Sequence, residues 1–254
     1  GLPDFYPIAD AARIDNQGME YWDLMDGGEY TNNGFSPTPY TPWEKEVMGW
    51  TSLTTLEDKA QTVTLKADEA RKIESENSDE YIILHNIQDK DWHSGIAKLG
   101  HGMLIYRVNY GKSSVNMYDH VNDTPGKPGM TVVPADGELF SSYTAKTKEE
   151  RKRYRESHKG DPFPGEKAVT ELLEIKLNLS TLKKPFYNIT EDEKEQTVTF
   201  NYLKKSDPTD INTIATDSEP ANERIYTLDG RYVGTNHTAL PQGIYIKSGK
   251  KFVK

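Results

Sequence analysis

The sequence predicts an α+β fold dominated by β structure, built from a loop-rich N-terminal region, a β-sandwich, a linker and a short β tail. Three observations predict it. Between residues 61 and 202 lie seven short β-branched or aliphatic runs bounded by Gly, Asp, Asn and Pro, without the helical crossovers that a parallel sheet needs. Residues 1–55 hold three of the four tryptophans (Trp22, Trp43, Trp50) and are rich in Gly and Pro. A polar stretch without periodicity follows the last run, and strand patterning resumes beyond it. The boundaries therefore fall at 1–55, 56–205, a linker at 206–224, and a tail at 225–254.

Within 1–55 one helix is well signalled. Thr41 is placed to cap it, Pro42 suits the first helical position, Glu44 completes a capping box, and Gly49 follows its end. The rest reads as irregular loop, which folds keep at such length mainly around functional sites. Strands are predicted at 61–65, 80–87, 102–109, 129–134 and 171–179, with 186–189 and 196–202 pairing across a turn at 190–195. A helix over 146–159 interrupts them. Arg151, Lys152, Arg153 and Arg155 interleave there with Glu149, Glu150 and Glu156, the pattern of a solvated face rather than an anion-binding one. In the tail, Asp229-Gly230 marks a tight hairpin after 225–228, and 243–247 meets 251–254 across Ser248-Gly249-Lys250.

The chain of 254 residues is long enough to bury a real core. Its net charge of −9 argues against a general nucleic-acid binder, which works by neutralising phosphates. Leu, Ile, Val and Phe lie near the rough 20% floor for globular chains, but 4 Trp, 15 Tyr and 7 Phe pull away from disorder. No apolar run reaches the roughly 18 residues of a membrane-spanning helix. With no cysteine, disulfides, thiolate nucleophiles and Cys-based metal sites are excluded, so His and carboxylates must carry any metal.

Gly1-Leu2-Pro3-Asp4, then Tyr21-Trp22-Asp23-Leu24-Met25 and Gly27-Gly28, resemble the immune inhibitor A-like secreted zinc metallopeptidases. In that family HExxHxxGxPD is followed by a loop and a Trp-x-x-Met segment. The resemblance continues through Pro42-Trp43-Glu44-Lys45 and Met48-Gly49-Trp50, then Tyr81 to Asn86, Gly102 to Tyr106, Ala135-Asp136-Gly137 and Gly160 to Gly165, covering about residues 1–203 in order. It departs at His85, where Glu is usual, and at Tyr106-Arg107, where Trp-His is common.

The resemblance implies that 1–55 is the C-terminal remnant of a metzincin-like catalytic domain, its Met-turn region. Two His one turn apart bind Zn²⁺ and the Glu between them polarises the bound water. Gly1 would turn the chain, and Asp4, three residues on, is the candidate third zinc ligand. Another carboxylate could complete the site instead, and Asp4 after Pro3 also suits an ordinary turn. Met25 would floor the metal, or simply fill core. Gly27, Gly28, Glu29 and Tyr30 would edge a cleft for a protein or peptide substrate.

None of the six histidines stands in an HExxH, so this chain by itself is expected to be inactive. The general base and the paired His are expected upstream of Gly1, in the rest of the catalytic domain, with Gly1 either native or a tag remnant. The competing reading is a non-catalytic β-sandwich that binds protein or glycan, or a degenerate peptidase. His93 and His101 read as loop residues rather than a second metal site. Asp136 and Asp161 read as loop-forming in preference to a calcium site. Calcium is accordingly expected to leave the melting temperature unchanged, and a concentration-dependent rise is the contrary result. The tail, Ile225 to Val233 with Leu240 to Lys247, resembles the C-terminal sorting segments of exported Bacteroidetes proteins, similar to those used by type IX secretion. It implies export to the periplasm, cell surface or medium. A plain C-terminal hairpin is the alternative.

Overall fold

Two strands near the middle of the chain are apolar on both faces, and that property organises everything around them. The computed structural model describes residues 2–6, 14–77, 79–109, 121–122, 124–205 and 224–254. In chain order the first strands are β1 (Gln61–Leu65), β2 (Ala70–Glu74), β3 (Tyr81–Ile87), β4 (Gly102–Val108) and β5 (Met130–Val132). β3 and β4 are buried along nearly their whole length. A strand with two covered faces needs an apolar residue at every position rather than at alternate ones.

β2, β3, β4 and β5 form an antiparallel sheet in that order. A second antiparallel sheet has the order β1, β9 (Thr197–Tyr202), β8 (Phe186–Asp192). Alternation along β3 sends Ile82 and Leu84 to one side, where they meet Leu65, Val198 and Phe200 of the second sheet in a shared core. Ile83 and Ile87 point the other way. With Leu104, Tyr106 and Val108 they pack against Phe5, Met19, Trp22 and Trp43 of the N-terminal region. The protein is thus mainly β with few helices. Its four-stranded sheet lies between the three-stranded sheet and a layer of short 3₁₀ turns and α1 (Pro42–Val47).

Both helices start as their sequences direct. Thr41 and Glu44 form a reciprocal capping box on α1. Thr147 and Glu150 do the same on α2 (Lys148–Ser157), whose only buried residue is Tyr154.

Two stretches differ from expectation. The predicted strand at 171–179 reduces to β6 (Ile175–Lys176), paired with β7 (Thr181–Leu182), and Leu173 and Leu179 stay exposed. The sequence shows no strand at β2, because Ala-Arg-Lys-Ile-Glu lacks alternation and only Ile73 is buried. β2 is an edge strand held by its neighbours: the Lys72 ammonium pairs with Glu46 at 2.8 Å and lies 4.8 Å from the Tyr81 ring centroid.

Residues 207–254 form a separate unit. Of the predicted linker, 206–223 lie outside the described residues. In the tail, β10 (Ile225–Thr227) pairs with both β11 (Tyr232–Gly234) and β12 (Ile244–Lys247), and β12 pairs with β13 (Lys250–Val253). The two predicted hairpins therefore merge into one four-stranded sheet with its own small cluster of Ile225, Leu240 and Tyr245. More than two strands and an apolar face is what such a piece requires to be stable.

Candidate functional site

The N-terminal layer gathers acids that the sequence scatters. Asp4 is exposed, but its neighbour Phe5 is fully buried and stacks edge-on against Trp43 at 5.2 Å. The Phe5 carbonyl accepts hydrogen bonds from the Met19 N–H (2.9 Å) and the Asn122 side chain (3.1 Å). Asp4 is thereby fixed on an anchored segment. Surrounding protein raises its carboxyl to about 6, the Tyr6 N–H opposes this, and the charge of Glu29 adds to it.

The Trp-x-x-Met segment makes a tight turn tied by Asp23. The Met25 N–H donates to Asp23 Oδ1 at 2.6 Å, and the Gly28 N–H donates to the Asp23 carbonyl at 2.8 Å. A Cβ on Gly28 would lie 2.3 Å from that carbonyl oxygen, so only glycine fits. Met25 is 40% exposed and Tyr30 67%, and Glu29 is exposed as well. Gly27 is half-buried, and Gly1 lies outside the described residues. Tyr30 lines a groove of about 230 Å³ with Tyr21, Asn32, Asn33, Lys98 and Arg155.

Burial and mutual repulsion hold several of these acids protonated near neutrality. Desolvation raises Glu20 to about 7, although Tyr154 and Ser142 donate hydrogen bonds to it. Asp23 is pushed well above the carboxylate range by burial, by Glu44 and by Asp4. Asp26 is pushed up by burial, Glu20, Asp4 and Asp23, and its Oδ2 accepts the Glu20 N–H. Asp23 Oδ2 and Glu44 Oε1 are buried without a hydrogen-bond partner among the described residues. Motifs about twenty residues apart thus meet in one cluster of acids.

The structure adds a cleft that sequence reading missed. It measures about 820 Å³ and lies among Tyr40, Lys45, Trp50, Asp68, Trp92 and His93. His85, on the face of β3 toward the N-terminal layer, places Nδ1 3.0 Å from the Tyr106 hydroxyl and Nε2 3.0 Å from Asp68 Oδ1. His93 Nε2 lies 3.6 Å from the same oxygen, and the two imidazole centroids are 5.4 Å apart. Burial lowers both histidines, His93 to about 4, while hydrogen bonding and the imidazole and Lys45 charges hold Asp68 well below the carboxylate range against its partial burial. His93 therefore belongs with His85 and not with His101, whose Nδ1 sits 2.8 Å from Glu191 Oε1. Only the departure at His85 marked this region in the sequence.

Asp136 Oδ1 accepts the Glu138 N–H in a local turn. Asp161 is buried and bridges two parts of the fold, its Oδ2 accepting from Trp22 Nε1 (2.7 Å) and Gln17 Nε2 (2.9 Å). No helix among the described residues is long and apolar enough to cross a membrane. Compared with models of protein families, with curated proteins and with solved structures, the chain finds no match.

Proposed function

We propose that this chain is the lower half of an exported zinc metallopeptidase. Asp4 supplies the third metal ligand, Met25 the floor, and Gly27 to Tyr30 one edge of the substrate cleft. The carrying observation is the convergence of Asp4 with the Asp23–Gly28 turn, whose carboxylates each feel the charge of Asp4. The fit to a cation is chemical: Asp4 is an exposed carboxylate on a buried anchor. Asp4 would hold zinc there together with two His outside this sequence, and the ion would supply a polarised water and stabilise a developing oxyanion. In this chain, Asp23 holds the turn and Gly28 keeps the backbone close.

The test is casein hydrolysis by a chain extended upstream of Gly1. Hydrolysis abolished by a chelator is expected, and Asp4→Asn should cost more than the roughly 10–100-fold that loss of an outer partner costs. Full activity in Asp4→Asn overturns the assignment of Asp4, and an extended chain with no activity overturns the peptidase reading. The exposed Trp50 and Trp92 beside the cleft favour a second reading, a non-catalytic module for protein or glycan. Under it, ligand binding survives the chelator and hydrolysis is absent. The tail is proposed as the export segment. Deletion of 225–254 that leaves export from the native host unchanged removes that assignment.

A further inference from the structure

We propose that Asp68, His85 and His93 form a binding site for a borderline-soft divalent cation such as Zn²⁺, open to the cleft on its fourth side. The inference does not rest on the peptidase reading, because none of these residues belongs to that site. Tetrahedral coordination at about 2.0–2.1 Å sets donor atoms roughly 3.3–3.4 Å apart. Asp68 Oδ1 lies 3.0 Å from His85 Nε2 and 3.6 Å from His93 Nε2, bracketing that spacing, and all three donor atoms lie within 4.8 Å of one another. Two imidazoles and one carboxylate suit zinc better than calcium or magnesium, which prefer oxygen.

The donors are held in place before any ion arrives. β3 fixes His85 between β2 and β4, and the Tyr106 hydroxyl engages its Nδ1, the outer contact that selects the Nε2 lone pair for a metal. Asp68 sits in a turn at φ +60°, a region Asp tolerates, with its N–H bound to the Asn86 carbonyl at 2.9 Å. His93 is carried by the 3₁₀ turn Asp91–Ser94, its N–H bound to the Lys90 carbonyl. The charged groups facing the site are Lys45, 3.5 Å from Asp68 Oδ1, and Asp91. Lys45 is partly exposed and can swing toward solvent when a cation enters.

The untagged full chain, stripped of metal, is titrated with Zn²⁺ against a chromogenic chelator, and with Co²⁺ read by its visible absorption. One Zn²⁺ per chain is expected, with the visible bands of a four-coordinate Co²⁺ site. His93→Gln and Asp68→Asn should each weaken binding at least 100-fold, and Tyr106→Phe about 10–100-fold. Lys45→Met removes the competing ammonium and should tighten binding roughly tenfold or more. His101→Gln should bind as the parent does, since its imidazole engages Glu191 and not this cluster. Asp68 is half-exposed, so its variant tests the site even where a His93 variant fails to fold. A parent chain that takes up no Zn²⁺, or variants of Asp68 and His93 that bind as tightly as the parent, overturns the proposal.

Discussion

Raising the pH from 6 to 8 is expected to lower the melting temperature of the unit spanning residues 1–206. Asp161, Glu20 and Glu44 each titrate at about 7 in the folded chain, and Asp23 and Asp26 lie well above the normal carboxylate range. In the unfolded chain these groups lose their protons near pH 4. Between roughly pH 4 and 7 the folded state therefore binds more protons, so stability falls as pH rises through the folded values. Three buried histidines act in the opposite sense. His93 and His158 are lowered to about 4 and His85 is lowered too, so they destabilise the fold as pH drops below 6.5. Above pH 6.5 their contribution is spent, and His101, which its hydrogen bond to Glu191 raises, acts in the same sense as the carboxyls.

Asp161 isolates the effect. Ionising it in place costs the fold roughly 4 kcal/mol by pH 8, an order-of-magnitude figure from the distance between 3.8 and about 7. Asn at this position keeps an oxygen for Trp22 and Gln17 and carries no charge. Asp161→Asn should therefore be more stable than the parent at pH 8, with the difference shrinking toward pH 5. Calorimetry at constant ionic strength checks both statements. A melting temperature that is flat or rising from pH 6 to 8 sinks the first, and an Asp161→Asn difference independent of pH sinks the second.

Trp22→Ala should be the most damaging single change in the N-terminal layer. The ring is 2% exposed and packs with Phe5, Met19 and Trp43 against the central sheet. Its removal leaves a cavity and takes a donor from Asp161. Large aromatic-to-Ala changes in cores cost about 3–5 kcal/mol, which in a unit of this size is a fall of roughly 6–20 °C. Trp22→Phe keeps most of the packing and loses the hydrogen bond, so its cost should be smaller and should grow with pH as Asp161 ionises. Trp92, 73% exposed, supplies the control, since Trp92→Ala should change stability by less than about 0.5 kcal/mol. Equal losses in Trp22→Ala and Trp92→Ala contradict the burial argument.

Much of the fold was legible because its signals are local. The capping box of α1 spans four residues, and the Asp229-Gly230 and Ser248-Gly249 turns need only their neighbours. β3 and β4 show through the short apolar runs Tyr81 to Leu84 and Met103 to Tyr106. β2 was hidden, since an edge strand with one buried residue owes its conformation to the partner beside it. The turn from Asp23 to Gly28 was legible as a motif, and Gly28 is required there by contact with Asp23. What the sequence by itself determined is the order and type of elements and the local chemistry of the turns. Tertiary structure alone decided which of the 40 acids lose their water, and that His85 meets Asp68 and His93 rather than solvent. Both depend on register and burial, where a slip of one residue along β3 sends His85 to the opposite face.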